Sequence, residues 1–333
     1  MDDHITLAHG SGGVKYRELV EEIFLHAFTN DYLSPLTDSA ILPGGDILAM
    51  TTDSYVVQPL FFPGGDIGSL AISGTVNDLT VSGAIPQYIS VGMILEAGLE
   101  TSLLRSVVNS MAQTAKEAGV YIVTGDTKVI ENRGGSDGLF INTAGIGIFP
   151  AQRVRPQQII ESGDKIILSG YIACHGMAVM AKREGFVFAP PIESDAKPLN
   201  SLVETVFSQG YPVHAMRDPT RGGVAATLCE WVTEQTDILV EEPCIPLRPD
   251  VSAACQLLGL DPLYIANEGI VVFAVPAFCA DDVLATIQSH PHGTHAAIIG
   301  EALEGSGMVK LKTTLGAQRR IALPRGELLP RIC

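Results

Sequence analysis

The sequence predicts an α/β protein of the mixed α+β kind that folds into two domains. Strand-like and helix-like segments alternate through both halves of the chain, as expected when helices pack against sheets. The length of 333 residues suits two domains, and a proline-containing stretch at 150–156 predicts a linker between them. We therefore divide the chain into an N-terminal segment, two domains and a tail, at residues 1–38, 39–152, 153–320 and 321–333.

Helices are predicted where apolar residues recur at spacings of three and four. The clearest pattern spans residues 101–118, where Leu104, Val108 and Met111 share one face. Gly119 follows this segment and can adopt the left-handed conformation that ends many helices. The other predicted helices cover residues 15–28, 67–81, 175–184, 199–209, 224–234, 250–258 and 281–289.

Strands are predicted at short apolar or alternating segments bounded by glycine, proline or polar residues. They cover residues 47–52, 87–95, 120–124, 139–149, 165–169, 237–241, 270–275, 297–300 and 308–312. The apolar run at 269–275 has the length of a strand, far below the roughly 20 residues of a membrane-spanning helix. We also expect no signal peptide, because the first residues are acidic and no long apolar run follows them.

The composition excludes several classes of function. The net charge of -16 argues against nucleic acid as a partner, because phosphates require a basic surface. A bound polyphosphate would need metal ions or backbone N–H donors to offset the repulsion. The six cysteines form no Cys-x-x-Cys pair, so neither a zinc site nor a disulfide framework is indicated. Reduced thiols favour a cytoplasmic location.

A glycine-rich stretch near the start reads His9-Gly10-Ser11-Gly12-Gly13. Glycines at these positions allow consecutive backbone N–H groups to converge on an anion. The stretch does not match the Gly-x-x-x-x-Gly-Lys-Ser/Thr pattern of a P-loop. A flexible turn before the first helix is the alternative interpretation.

Four aspartates stand at strand ends or beside small residues: Asp53, Asp78, Asp126 and Asp218. Mg²⁺ prefers oxygen ligands and commonly joins one or two carboxylates to substrate phosphates. The four together favour a metal–nucleotide site, whereas each alone is most often a turn or cap residue. Lys128 and Glu268 likewise lie in glycine-bordered loops, and the alternative for each is a solvated surface charge.

The last stretch of the sequence ends in Pro330-Arg331-Ile332-Cys333. Pro324, Gly326 and Pro330 argue against a regular helix or a central strand, so we predict a flexible tail. Extended from residue 321, such a tail reaches roughly 40 Å, at about 3.3 Å per residue. The thiol of Cys333 could therefore enter a pocket or meet another protein, unless its position is a matter of chance.

Together, these motifs resemble those of the HypE family of hydrogenase maturation proteins, and the resemblance runs from end to end of the chain. The nucleotide motifs are shared with the wider superfamily of aminoimidazole ribonucleotide synthetase and selenophosphate synthetase, whereas the terminal cysteine motif is specific to this family. The matching motifs are His9-Gly10-Ser11-Gly12-Gly13, Thr52-Asp53-Ser54, Asn77-Asp78, Gly125-Asp126-Thr127-Lys128, Asp218-Pro219-Thr220-Arg221-Gly222-Gly223, Asn267-Glu268-Gly269 and Pro330-Arg331-Ile332-Cys333.

The resemblance implies a PurM-like fold and a homodimer built through the sheets of the N-terminal domains. It implies ATP-dependent dehydration of a carbamoyl group on Cys333 to a thiocyanate, which donates the cyanide ligand of the iron in a [NiFe]-hydrogenase. HypF would load the carbamoyl group and the HypC–HypD complex would receive the cyanide. ATP and Mg²⁺ would be the cofactors, and neither nucleic acid nor a membrane would take part.

The resemblance also assigns site residues. Catalysis falls to Cys333, Lys128 and Glu268. On chemical grounds we expect Glu268 to accept a proton and Lys128 to stabilise developing charge, but the division of duties between these two stays open at the level of sequence. Mg²⁺ binding falls to Asp53, Asp78, Asp126 and Asp218. Nucleotide binding falls to Gly10, Ser11, Gly12, Gly13, Asn77, Gly125, Thr127, Thr220, Gly222 and Gly223. The family motif Asp-His-Gly reads Cys174-His175-Gly176 here, so no carboxylate role transfers to Cys174.

Two alternative functions remain open at the level of sequence. Another ATP-dependent enzyme of the same superfamily, acting on a small molecule, would leave Cys333 without a role. A non-catalytic maturation scaffold would recruit partners through its acidic loops and tail. It would show no nucleotide turnover and would tolerate the loss of Lys128.

Overall fold

The computed structural model describes residues 3–6, 9, 18–34, 44–45, 47–132 and 138–323, which form a smaller first sheet and a larger second sheet with their helices. The strands are β1 (Leu48–Tyr55), β2 (Phe61–Phe62), β3 (Gly65–Asp66), β4 (Ile85–Glu96), β5 (Tyr121–Ile130), β6 (Leu139–Ile148), β7 (Lys165–Leu168), β8 (Ala215–Arg217), β9 (Thr236–Glu241), β10 (Val272–Val275), β11 (Ala297–Glu304), β12 (Val309–Lys312) and β13 (Gln318–Ile321).

The helices begin with a π-helical segment, Val20–Leu25, that continues into α1. The α-helices are α1 (His26–Phe28), α2 (Ile67–Val81), α3 (Thr101–Ala118), α4 (Cys174–Glu184), α5 (Asn200–Ser208), α6 (Gly223–Trp231), α7 (Pro249–Leu258) and α8 (Ala280–Ser289). Short 3-10 turns lie at Glu242–Cys244, Pro262–Tyr264 and Ala277–Cys279. In the part of the chain described here, no helix is long and apolar enough to cross a membrane.

The first sheet has the strand order β1-β6-β4-β5, in which only the β4–β5 pair is parallel. Helices α2 and α3 cover one of its faces. The carboxylate of Asp66 begins α2 by accepting hydrogen bonds from the N–H groups of Gly68 (2.7 Å) and Ser69 (3.0 Å). Gly68 has no room for a side chain, because a Cβ there would lie 2.4 Å from the carbonyl oxygen of Val107 in α3. The two helices therefore pack closely.

Among the residues that the structure describes, no helix packs against the other face of the first sheet, and we call it the open face. Its exposed apolar side chains are Leu48, Met50 and Ile94, which are 52%, 75% and 44% exposed. The register of the strands places Asp126 beside Gly92 and Lys128 beside Ile94, so both charged residues also belong to the open face. Exposed apolar side chains grouped on one face are typical of surfaces that bind a partner.

The second sheet has the strand order β13-β12-β9-β11-β7-β10-β8 and is covered on both faces. Side chains alternate along β7, so that Ile166 and Leu168 pack against α4, α6 and α7, whereas Ile167 packs against α5 and α8. The cores of the two domains also meet, because Val179 and Ala266 pack into the core of the first domain.

The structure differs from the predicted elements at β1 and β5. The prediction ended the fifth strand at residue 124, but β5 continues to Ile130 and pairs with β4 along this whole length. Gly125, predicted to lie in a loop, allows this pairing, because a Cβ there would lie 2.5 Å from the carbonyl oxygen of Val91. Likewise β1 continues to Tyr55, which places Asp53 inside the strand. β13 was not predicted.

Candidate functional site

Four carboxylates from the two domains meet at the boundary between them. Asp53 lies in β1 and Asp78 in α2, whereas Asp218 follows β8 and Glu268 precedes β10. Burial raises the pKa of Glu268 well above its usual range, and the charges of the three aspartates and of Asp195 raise it further. Carboxylates that raise one another's pKa lie near one another. We call Asp53, Asp78, Asp218 and Glu268 the acidic cluster.

The first domain positions its two aspartates through strand alternation and one hydrogen bond. Asp53 pairs in register with the buried Thr143 of β6, so it lies on the face of the sheet that α2 covers. Thr51, two residues earlier on the same face, donates a hydrogen bond from its Oγ1 to Oδ2 of Asp78 at 2.9 Å. Asp53 and Asp78 therefore sit side by side between β1 and α2.

The second domain is held against the first by Asn77. Its Nδ2 donates to the carbonyl oxygens of Lys197 and Glu268, both at 3.1 Å, and its Oδ1 accepts from the N–H of Leu199 at 2.9 Å. The side chain is fully buried. Both N–H donors of the amide are thus used to hold backbone, and the predicted nucleotide contact of Asn77 stays a prediction. Asn77 therefore positions Glu268.

Asp218 begins a tight turn that leads into α6. The N–H of Thr220 donates to the carbonyl oxygen of Asp218 at 3.0 Å, and the N–H of Gly223 donates to that of Thr220 at 3.2 Å. Gly222 and Gly223 both have positive φ, at 78° and 61°, and a Cβ on Gly223 would lie 2.6 Å from the carbonyl oxygens of Leu263 and Ile265. These glycines are required by the turn and by its packing.

The acidic cluster has an excess of negative charge. The pKa of Asp218 is raised to about 8 by burial and, next, by the charge of Asp78. Burial also raises the pKa of Asp78, even though the hydroxyl of Thr51 and the charges of Arg217 and Arg221 lower it. Buried anions that lie this close together are stabilised by a cation or a proton.

The donor set of the acidic cluster fits Mg²⁺ bound together with a polyphosphate. Among the residues that the structure describes, no three His, Cys, Asp or Glu side chains are already arranged to hold a metal ion. Mg²⁺ in nucleotide sites usually takes one or two carboxylates and completes its octahedron with water and phosphate oxygens. The aspartates that could hold it are Asp53, Asp78 and Asp218.

Asp126 and Lys128 do not join the acidic cluster within one chain, which differs from their predicted roles. They form an ion pair with each other at 3.2 Å, with side chains 64% and 68% exposed. They lie on the open face, whereas Thr127 between them is buried. They also lie on the edge strand β5, and three strand spacings separate β5 from β1, about 14 Å. The predicted nucleotide ligands Gly125 and Thr127 share this strand.

The remaining predicted site residues, Gly10, Ser11, Gly12, Gly13 and Cys333, lie outside the described residues. The nearest described parts of the chain are His9 and Leu323. The buried His9 contacts Oγ1 of Thr6 through its Nδ1 at 3.0 Å. Beyond β13, the hydroxyl of Tyr264 donates to the carbonyl oxygen of Ala322 at 3.0 Å.

The sequence analysis missed two residues that support Glu268. Asp195 accepts hydrogen bonds from the N–H groups of Glu268 and Gly269. Asn267 is fully buried, and its Oδ1 accepts from the N–H of Ala173 at 2.6 Å, the residue with positive φ before α4. The Asn267-Glu268-Gly269 motif pointed to Asn267, whereas no periodicity or motif singles out Asp195 in its irregular loop.

Cys174 shows no sign of reactivity. Burial, and next the charge of Asp195, raise the pKa of its thiol to about 12, so the thiol stays protonated at neutral pH. Its sulfur lies 3.8 Å from the carbonyl oxygen of Ile172. It packs in the core of the second domain, which supports leaving it out of the site.

The repulsion inside the acidic cluster leads to a stability prediction. Because the folded-state pKa of Asp218 is raised to about 8, its contribution to stability is present at low pH and is lost as the pH rises towards that value. We expect Asp218→Asn to stabilise the nucleotide-free protein above pH 8. One pKa unit corresponds to about 1.4 kcal/mol, so a gain of at least that order follows.

Thermal unfolding without Mg²⁺ or nucleotide, at about pH 5 and about pH 9, measures this effect. The gain should be much smaller at the lower pH, where Asp218 stays protonated in the folded protein and only the unfolded chain ionises at this position. Asp250→Asn is the matched control, because the hydrogen bond from Arg248 lowers the pKa of Asp250 and its replacement should destabilise the fold. An Asp218→Asn protein less stable than the parent at the higher pH would show that the cluster is not repulsive.

Comparison with known proteins identifies the family and the fold of the chain. The family model described as AIR synthase related protein, N-terminal domain, matches residues 36–149, and the corresponding C-terminal domain model matches residues 161–311. A curated relative from Escherichia coli (strain K12), named "Carbamoyl dehydratase HypE", is 47% identical over 339 residues, which cover 99% of this chain and 100% of the relative.

Two solved structures are similar over nearly the whole chain. One is a crystal structure of the hydrogenase maturation protein HypE in complex with ATP, with 44% identity and a TM-score of 0.94 over 98% of this chain and 99% of that one. The other is a crystal structure of a HypE–HypF complex, with 44% identity and a TM-score of 0.79 over 92% of this chain and 99% of that one. The two-domain α/β fold predicted from the sequence is thus confirmed.

Proposed function

Because the chain belongs to the AIR synthase related family and, within it, to the HypE proteins of hydrogenase maturation, we propose that it is an ATP-dependent carbamoyl dehydratase. Its substrate is a carbamoyl group carried on the sulfur of Cys333. Its product is a thiocyanate on the same sulfur, which supplies the cyanide ligand for the iron of a [NiFe]-hydrogenase.

The observation that carries this proposal is where the last strand leaves the fold. Ala322 is held by Tyr264, to whose hydroxyl its N–H donates at 3.3 Å. Glu268 follows Tyr264 by four residues, which span at most about 14 Å. The eleven residues from Leu323 to Cys333 make ten residue steps, which reach about 33 Å when extended. The thiol of Cys333 is therefore tethered within reach of the acidic cluster.

The reaction removes one water from the carbamoyl group. Amide oxygen is a poor leaving group, so the γ-phosphoryl group of ATP is first transferred to it, which releases ADP. Both N–H protons are then lost while the C–O bond breaks, the C≡N bond forms and inorganic phosphate leaves with the former amide oxygen. Positioning of the two substrates and neutralisation of phosphate charge account for most catalysis of this kind.

Glu268 is the proton acceptor in this scheme. Its pKa is raised by burial and then by the neighbouring carboxylates, which makes it a stronger base than an exposed glutamate. Asn77, Asn267 and Asp195 fix the backbone on either side of it or at its own N–H. A buried, rigidly held base of this kind suits abstraction of the N–H protons of the carbamoyl group.

We propose Mg²⁺ as the metal that accompanies ATP, held by Asp53, Asp78 and Asp218. When bound, it neutralises phosphate charge in a protein whose net charge is -16. Arg221 adds a cation from the same chain, since it is close enough to Asp78 to lower the pKa of that carboxyl. The glycines Gly10, Gly12 and Gly13 are proposed to close over the phosphates through their N–H groups.

We further propose that two copies pair through the open face. A two-fold axis that runs along the strands places β5 of one copy opposite β1 of the other. This pairing covers Leu48, Met50 and Ile94. It also brings Asp126 and Lys128 of one copy close to the sheet edge of the other copy, where strand β1 contains Asp53. Their position on the open face supports a site completed by the partner subunit.

Replacing Met50 tests this pairing. Its side chain is 75% exposed on the open face, in the edge strand β1, so Met50→Asp should convert a dimer into a monomer with a folded structure. Sedimentation velocity measures the change in mass. Val187→Asp, at a site 92% exposed in the second domain, is the matched control and should stay dimeric. A Met50→Asp protein that remains dimeric would place the interface elsewhere.

HypF as carbamoyl donor, the HypC–HypD complex as cyanide acceptor and a cytoplasmic location complete the proposal. They follow from membership of the HypE family, and a HypE–HypF complex is known for a relative. The curated relative is named as a carbamoyl dehydratase and matches this chain over its full length. This favours the proposed function over a small-molecule enzyme or a non-catalytic scaffold.

Intact-protein mass spectrometry tests the proposed function. The purified protein is incubated with HypF, carbamoyl phosphate and Mg-ATP, and its mass is followed with time. We expect a carbamoyl adduct followed by a species lighter by one water, with one ADP released for each thiocyanate formed. A carbamoyl adduct that persists while ATP is hydrolysed would exclude the dehydratase function.

A further inference from the structure

The carboxylate of Asp195 is shared by three backbone N–H groups from two different segments. Its Oδ1 accepts from the N–H of His175 at 2.8 Å. Its Oδ2 accepts from the N–H of Glu268 at 3.2 Å and from that of Gly269 at 2.8 Å. Hydrogen bonds to a charged acceptor are stronger than neutral ones. Asp195 therefore ties the start of α4 to the residue proposed as base.

The packing around Asp195 leaves little freedom. A Cβ on Gly269 would lie 1.6 Å from the carbonyl oxygen of Asp195, so only glycine permits this approach. The negative charge of Asp195 also acts on Glu268 directly and contributes to its raised pKa, after burial and Asp218. Both the position and the environment of Glu268 thus depend on this neighbour.

The loop that carries Asp195 is held by both domains. The N–H of Ser194 donates to the carbonyl oxygen of Pro63 at 2.8 Å, and its Oγ contacts Nδ1 of His175 at 2.8 Å. Further along, Asn77 of α2 bonds the backbone of Lys197 and Leu199. The loop therefore connects the first domain to the backbone of Glu268.

We propose that Asp195 is a positioning residue for the dehydration, which orients Glu268 by holding the N–H groups of Glu268 and Gly269. This inference rests on the proposed function. Its consequence is specific: loss of Asp195 slows the proton-transfer step, while nucleotide binding and carbamoyl loading on the tail are retained. The described hydrogen bonds of Asp195 come from the backbone N–H groups of His175, Glu268 and Gly269, and none joins it to the aspartates proposed to bind Mg²⁺. We therefore expect the affinity for Mg-ATP to stay unchanged.

Asp195→Asn tests the inference. An amide keeps one acceptor oxygen but presents an NH₂ group to N–H donors, so at least one of the three bonds is lost. We expect the rate of dehydration at saturating ATP to fall about 10- to 100-fold, a loss in the range of a misplaced base. The KM for ATP and the extent of carbamoylation by HypF should stay within about two-fold of the parent protein.

Asp237→Asn is the matched control for loss of stability. Asp237 is buried and, like Asp195, accepts from backbone N–H groups, those of Ser306 (2.8 Å) and Met308 (2.9 Å). It lies in β9, three strand spacings from β10. We expect this variant to unfold at a lower temperature but to dehydrate at the parental rate. An equal loss of rate in Asp237→Asn would show that general destabilisation explains the effect, and would overturn the inference.

Gly269→Ala provides a second test that leaves the carboxylate in place. The added methyl group must push the Asp195 loop away, so the same loss of dehydration rate with retained ATP binding is expected. The parent protein, assayed in parallel, separates the two proposals. If it forms no thiocyanate, the proposed function fails. If it does so and both Asp195→Asn and Gly269→Ala match its rate, the positioning role of Asp195 is wrong.

Discussion

A Cys333→Ser variant is expected to form no thiocyanate, the largest effect predicted for any single substitution in this chain. Serine keeps the shape of the side chain but replaces the thiol by a hydroxyl, which is far less nucleophilic near neutral pH. The carbamoyl group then has no carrier. ATP binding, dimerisation and thermal stability should match the parent protein, because the residues of the fold and of the acidic cluster are unchanged.

Peptide mapping after incubation with HypF, carbamoyl phosphate and ATP measures this result. Cys244→Ser is the matched control, since Cys244 is the exposed cysteine among those described and should be dispensable. The thiols of Cys174 and Cys255 are poor candidates, because burial raises their pKa values to about 12 and about 11. An adduct on any cysteine other than Cys333 would refute the tethered-substrate mechanism.

The second large effect is expected at Glu268. Glu268→Gln removes the base but keeps the size of the side chain, so the dehydration rate should fall by about 10²–10⁴-fold. Carbamoylation of Cys333 and binding of Mg-ATP should persist. The carbamoyl species should therefore accumulate in mass spectra of the variant, where the parent protein shows the thiocyanate.

Stability distinguishes a lost base from a damaged fold. The pKa of Glu268 is raised by burial and by nearby carboxylates, so its charge opposes folding once it ionises. A neutral glutamine should leave the melting temperature equal or higher. The exposed Glu234→Gln is the matched control and should be indistinguishable from the parent protein in both rate and stability. Normal thiocyanate formation by Glu268→Gln would assign the proton transfer to another group.

Much of the fold could be predicted from local patterns. The spacing of apolar residues predicted the bounds of α3 and its glycine cap. It could do so because the buried face of a helix requires apolar side chains three and four residues apart. The segment 67–81, rich in small residues, was identified as α2 with the bounds that the structure has. Short strands such as β8 and β13 were missed, because three or four residues carry too little periodicity.

The candidate site was only partly predictable. Motifs pointed to Asp53, Asp78, Asp218 and Glu268, which the structure brings together. They also pointed to Asp126 and Lys128, which lie on the opposite face of the first sheet in the same chain. A motif shows which residues are present but not which face of a strand they occupy. The face depends on where the strand begins and on its register.

The sequence by itself determined the chemical inventory of this protein: a carboxylate-rich, glycine-bordered set of residues and a thiol on a long tether. Only the tertiary structure decided how these parts are divided. The strand order β1-β6-β4-β5 sets Lys128 apart from Glu268. The contact of Asn77 across the domain boundary and that of Asp195 within the second domain hold Glu268 in place. Such contacts join residues more than seventy positions apart, and no local pattern of side chains encodes a distance of that kind.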